Sequence, residues 1–135
     1  MKKKIIKSVL GIIIVFAIIY VGLSIYLSIK AYAIVKSSYK NYGKFDKKWE
    51  DIVIPEDYSI INFRYEPTPV MDKEICNLSP FLTIHSFTKA TVYYKYKYEQ
   101  YINGHISHGS WDIPCRIDFE LINGHWVVTG YHEAP

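Results

Sequence analysis

The chain reads as an α+β protein in which a transmembrane helix leads into an amphipathic helix packed on a bent antiparallel sheet, closed by a C-terminal three-stranded meander. Three observations predict this. Ser8 to Ile29 is a run of about 22 uncharged residues, long enough to cross a ~30 Å hydrocarbon core as a helix. Apolar or small residues then recur at three- and four-residue steps to Val53, and two Asn-Gly pairs each divide alternating β-rich runs near the C-terminus.

The apolar run divides the 135 residues into an anchor, 1–30, and a domain, 31–135. Lys2, Lys3, Lys4 and Lys7 precede the run without any acid, so the positive-inside rule predicts a cytoplasmic N-terminus and a C-terminal domain outside the membrane. Ala31-Tyr32-Ala33 has the small-x-small form of a signal-peptidase site. The expectation is still a retained anchor, because the run exceeds the ~7–15 residues of a signal-peptide core and Lys30 interrupts the approach. After Ile29 the chain carries 12 basic and 13 acidic residues, so the domain is near neutral and no nucleic-acid partner is expected. The membrane is the expected partner of the N-terminal helix, with a protein or small molecule outside the cell as the partner of the domain.

From Ala31 to Val53, the residues Ala31, Ile34, Ser38, Tyr42, Phe45, Trp49 and Ile52 form one face of a helix that Pro55 ends. The other side carries Lys36, Lys40, Lys44, Lys47 and Lys48, a solvated face or a surface for anionic headgroups. Tyr58 to Glu66 alternates as a strand, and Pro67 to Pro80 reads as a loop. Phe81 to Thr88 reads as a further strand. The meander is Ala90 to Ile102, His105 to Ile122 and His125 to Tyr131, with two-residue turns at Asn103-Gly104 and Asn123-Gly124.

Two-residue turns set a register. Across the first, Tyr96 is expected opposite Trp111, Tyr94 opposite Ile113 and Val92 opposite Cys115. Across the second, Leu121 is expected opposite Trp126, Phe119 opposite Val128 and Cys115 opposite His132. Both turns select the same core face of the middle strand: Trp111, Ile113, Cys115, Ile117, Phe119 and Leu121. Pro114 requires a bulge or bend in that strand.

The ending from Phe119 to Tyr131, FELINGHWVVTGY, resembles the closing hairpin of nuclear-transport-factor-2-like and other cystatin-like domains, in which an x-Gly-x-Trp-x-Val pattern follows a long strand. The resemblance covers about the last 40 residues. It implies a helix-covered bent sheet of the kind found behind an N-terminal anchor in small exported proteins of Gram-positive bacteria. That family ranges from isomerases and dehydratases to inert binding modules, so it assigns no catalytic residue.

Candidate chemistry is sparse. His105, His108 and His125 do not make a metal site, because the two hairpin turns lie at opposite ends of a long strand, on the order of tens of ångströms apart. Cys76 and Cys115 leave three readings: one disulfide, two buried free thiols, or a thiolate–base pair of Cys115 with His132. Tyr94, Tyr96, Tyr98, Trp111 and Trp126 share one predicted face, either as core filling or as an aromatic pocket between sheet and helix for an apolar or carbohydrate-like ligand. No Gly-rich phosphate loop, paired-carboxylate motif or zinc spacing occurs, and no cofactor is expected. The expected function is a membrane-anchored extracytoplasmic ligand-binding or interaction domain without catalysis; the alternative is a small hydrolase or isomerase using that pocket.

Overall fold

The computed structural model describes residues 2–134, with side chains from residue 5 onward. One long helix, α1 (Lys2–Lys40), leads into a five-stranded antiparallel sheet. The apolar run and the first part of the expected amphipathic helix are therefore one uninterrupted element. Ala31 to Lys40 simply continues α1, because nothing between Ser8 and Lys40 breaks an i to i−4 ladder. The helix ends where Tyr42 and Gly43 take positive φ (53° and 72°) and the Gly43 N–H closes on the Ser38 carbonyl at 2.9 Å. A single 3₁₀ turn (Lys47–Trp49), opened by the Asp46 carboxylate accepting from Lys48 N–H, replaces the rest of the expected helix.

Pro55 begins a helix instead of ending one. It occupies the first position of α2 (Pro55–Ile60), where its missing N–H costs nothing, and Glu56 and Asp57 complement the dipole in the first turn. The strand expected over Tyr58 to Glu66 is thus absent. Tyr58 and Ile61, three apart, are both fully buried, and Tyr58 is locked to α1: its hydroxyl donates to Ser37 Oγ at 2.8 Å while Ser38 Oγ donates to its carbonyl at 2.8 Å.

The segment expected as a loop, Pro67 to Pro80, contains strand β1 (Met71–Leu78). Next come β2 (Leu82–His85), β3 (Lys89–Ile102), β4 (His105–Ile122) and β5 (His125–Glu133), ordered β1-β3-β4-β5. Both β1 and β2 pair with β3, β1 along Tyr96 to Ile102 and β2 along Ala90 to Tyr93, so they form one interrupted edge. Ser79 bridges the interruption, its N–H bonding the Lys95 carbonyl and its Oγ accepting from Lys95 N–H.

Both Asn-Gly turns join adjacent antiparallel strands, with all four residues in the positive-φ region that a type I′ turn requires. The expected register holds only beside the turns. Irregularities between Tyr96 and Tyr98 and between Gln100 and Tyr101 place two extra residues in β4, so Tyr96 faces Ile113, Tyr94 faces Cys115 and Val92 faces Ile117. Two one-residue bulges restore the original face beyond the second, which is why Cys115, Ile117 and Phe119 stay buried. Between the bulges the face is inverted.

The core lies where α1 crosses the sheet. Leu27, Ala31, Ile34 and Val35 are buried against Val92, Tyr94, Ile117 and Phe119, with Val53 and Ile61 completing the cluster. Contact begins lower still, where the Tyr20 ring stacks on His85 at 3.9 Å, and next to Leu27 the Ser28 Oγ lies 2.7 Å from Thr83 Oγ1.

Candidate functional site

The space expected to hold an aromatic-lined pocket is filled by the chain itself. Tyr94, Tyr96 and Tyr98 do share the helix-facing side of β3, and all three are buried. Each is covered by an aromatic ring from elsewhere: Phe81 stacks on Tyr94 (4.6 Å), Phe63 on Tyr96 (4.0 Å) and Tyr65 on Tyr98 (5.9 Å). Burial pushes the three phenols up, Tyr98 to about 12. Trp126 is buried at the other end of the same face, opposite Leu121.

Trp111 departs from this group. It sits in the second bulge, where Trp111 and Asp112 lie between the paired residues Ser110 and Ile113, is 52% exposed, and lies on the outer side of the sheet. Its indole covers Gly109, where an added Cβ would come within 2.6 Å of the ring, and its Nε1 donates to Glu99 Oε1 at 2.6 Å. Tyr101 Oη and Lys97 Nζ also reach Glu99, at 3.0 and 3.1 Å. These donors, the Trp111 bond first, hold the Glu99 carboxyl below its usual range.

Cys115 and His132 are not brought together. An irregularity between Asp118 and Phe119 shifts the second hairpin by one residue, so Cys115 faces Glu133 and His132 faces Arg116. Adjacent residues on a strand point to opposite faces. Cys115 is accordingly buried, with its thiol pushed up by burial and Sγ accepting from Tyr131 Oη at 3.4 Å, while His132 is exposed on the outer face. A thiol so placed is a poor nucleophile. Cys76 faces Tyr98 on β1, so β3 stands between the two cysteines and both are free thiols. Two strand spacings of ~4.8 Å and the four-residue offset between Tyr98 and Tyr94 along β3, at ~3.4 Å per residue, put their backbones roughly 17 Å apart, beyond disulfide reach.

Concave surface occurs along α1, where Tyr32, Lys36, Tyr39, Cys76 and Leu78 line a space of about 530 Å³, and on the outer side of the sheet. A shallow cavity of about 550 Å³ is lined by Ile84, Lys89, Thr91, Asp118, Glu120 and His132, and a second of about 290 Å³ by Tyr93, Arg116, His132 and Glu133 among others. Thr91 Oγ1 donates to Asp118 Oδ1 at 2.7 Å, with Arg116 Nε at 3.6 Å and His132 Nε2 at 4.0 Å from Oδ2; Lys89 Nζ lies 2.9 Å from Glu120. Each carboxylate is engaged, and no activated nucleophile stands beside His132. The exposed charged and polar side chains of this surface offer hydrogen-bond donors and acceptors to a partner. Among the described residues no three His, Cys, Asp or Glu side chains converge on a point that would hold a metal ion. His108 instead bonds Gln100 Oε1 at 3.0 Å and stacks on Tyr65.

Two features escaped sequence reading. Arg64 and Glu74 form a two-point ion pair (Nε–Oε1 and Nη2–Oε2, both 2.6 Å), with the guanidinium over the rings of Tyr39 and Tyr42 at 4.6 and 4.1 Å. Burial alone would raise the Glu74 carboxyl, but the Arg64 hydrogen bonds outweigh it and hold it below its usual range. A signal existed: arginine occurs only twice in this lysine-rich chain, and its planar fork is what a stacked, bidentate pair requires. The second is His85, whose Nδ1 accepts from Phe87 N–H at 3.2 Å, leaving Nε2 to donate to the Tyr20 carbonyl at 3.0 Å. Phe87 itself has φ 65°, a left-handed conformation that costs a bulky residue about 1–2 kcal/mol.

No family model, curated protein or solved structure matches the chain.

Proposed function

We propose that the chain is a single-pass membrane protein whose C-terminal domain is held outside the cytoplasmic membrane as a binding or interaction module without catalysis. One observation carries the reading: α1, the one helix among the described residues long and apolar enough to span a membrane, is also part of the domain's core. Leu27 and Ala31 are fully buried against the sheet, and Ala31-Tyr32-Ala33 lies within an unbroken helix. Cleavage after Ala33 would remove both side chains from the core, which favours a retained anchor over a signal peptide. The lysine flank favours an inside N-terminus.

Stacked rings fill the space over Tyr94 and Tyr96, and recognition is assigned to the outer face around Tyr93, Arg116 and His132. The test is N-terminal sequencing of the mature protein, combined with labelling of a Gly104→Cys variant by a membrane-impermeant reagent. A membrane-bound chain that begins at or near Met1 and is labelled in intact cells is the expected result. A soluble chain beginning at Ile34, or labelling only after lysis, overturns it.

A further inference from the structure

The anchor and the domain compete for the same stretch of α1. Counted from Ser8, the first residue after the basic flank, about 20 helical residues cover a ~30 Å hydrocarbon core and bring its far boundary to Leu27. The domain already touches the helix at Tyr20. Even if the count starts at Ile5, with Lys7 snorkelling, the boundary falls at Ser24. Domain and hydrocarbon therefore overlap along about 6–10 Å of helix axis. The free stretch below the contact, Ile5 to Ile19, is only about 22 Å long.

The part of the domain at that level is suited to lipid. The β2–β3 turn carries Phe87, 41% exposed although its ring also packs edge-on to Tyr20 (5.9 Å) and His85 (5.2 Å). Beside it lies the end of β4, tied in by the Leu121 N–H bond to the Thr88 carbonyl at 2.8 Å. Ile84, Leu121 and Ile122 are exposed at this end, and Lys89 stands above them. A bulky aromatic in a left-handed turn position, where Gly or Asn is the unstrained choice, is the kind of outlier that accompanies a function for the side chain.

We propose that this end of the sheet is seated in the outer lipid interface of the membrane that α1 spans, with Phe87, Ile84, Leu121 and Ile122 at the acyl-chain boundary. The overlap of about 6–10 Å matches the ~5–10 Å depth at which interfacial apolar groups lie. The domain is thereby held upright against its membrane, its Asn103-Gly104 end directed away. The proposal rests on the anchored reading above.

The test uses the full chain in phosphatidylcholine/phosphatidylglycerol vesicles, in a Cys76→Ser, Cys115→Ala background, with an environment-sensitive fluorophore on one introduced cysteine. Phe87→Cys and Leu121→Cys report the proposed contact, Ile106→Cys the far end, and Phe16→Cys the anchor. Quenching by headgroup-proximal spin-labelled lipid is expected to be at least about twofold greater at positions 87 and 121 than at 106, as interfacial depth requires. Leu121→Cys reports independently if Phe87→Cys fails to fold. Strong quenching at 16 with 87 and 121 no more quenched than 106 overturns this inference and leaves the anchor standing. Absence of quenching at all four positions overturns the anchor and the inference with it. Probes at 87 and 121 shielded from both lipid-borne and aqueous quenchers, and uncovered on dilution of the protein in lipid, mark a contact with a second copy and also overturn it.

Discussion

Leu27→Ala separates a helix that only spans a membrane from one that also builds a core. Leu27 is fully buried against the sheet, whereas Ile25, two residues earlier on the same helix, is 55% exposed. Truncating a buried leucine removes its transfer free energy and leaves a partly unrelaxed cavity, together about 2–5 kcal/mol. The sheet above it is built on β3 and β4, each paired on both sides, which limits collapse into the gap, so a value near ~3 kcal/mol is expected. With urea slopes of about 1–3 kcal/mol/M, the unfolding midpoint falls by about 1–3 M. Ile25→Ala should change stability by no more than about 0.5 kcal/mol. The assay is urea unfolding in micelles, followed by near-ultraviolet circular dichroism, which reads the packed aromatic layer and not the micelle-bound helix. Equal midpoints for the two variants would refute the claim that the domain closes over α1 at this level.

Gly109→Ala places a methyl group within 2.6 Å of the Trp111 ring, forcing the indole off the sheet and breaking its bond to Glu99. A loss of about 1–2 kcal/mol is expected, with a red shift in tryptophan emission; unchanged emission would contradict the geometry. Glu74→Gln removes one partner of the Arg64 pair, and because both side chains retain some exposure the cost should be about 2–3 kcal/mol, below that of a fully buried pair. Glu74 has a folded-state pKa below its ordinary 4.5, so its contribution is present above that value and is lost as pH falls through the folded pKa. Stability measured from pH 6 down to 3 should therefore drop less steeply in Glu74→Gln than in the parent, and parallel curves would count against the pair.

How much was legible in the sequence differs by element, and the differences have physical causes. The apolar run and both hairpins were readable because their signals are local: a bilayer-length stretch without charge needs no partner to be recognised, and an Asn-Gly turn selects its own backbone conformation. The buried side of β4 from Cys115 to Phe119 followed from alternation alone, whereas Leu121, expected on the same face, is exposed at the end of the strand. Strand β1 was hidden because its sheet-core position facing Gln100 holds Glu74, whose charge is offset only by an arginine ten residues away, so no alternating apolar pattern forms. Pro55 was read as a stop when it is a start, since both uses place a proline beside a helix boundary.

Only the tertiary structure decided which residues meet. Three strand irregularities, of which Pro114 marked only the one beside it, turned Trp111 outward and moved Cys115 from His132 to Glu133, and the strand order put β3 between the two thiols. A one-residue slip reverses a side chain's face, so any site inferred across a bulge is lost while the core of the sheet survives. The sequence by itself determined that an apolar helix precedes a β-rich domain. That the helix belongs to both at once, with Tyr20 against His85 and Leu27 in the core, depends on contacts between residues 50 to 90 positions apart, which no local pattern encodes.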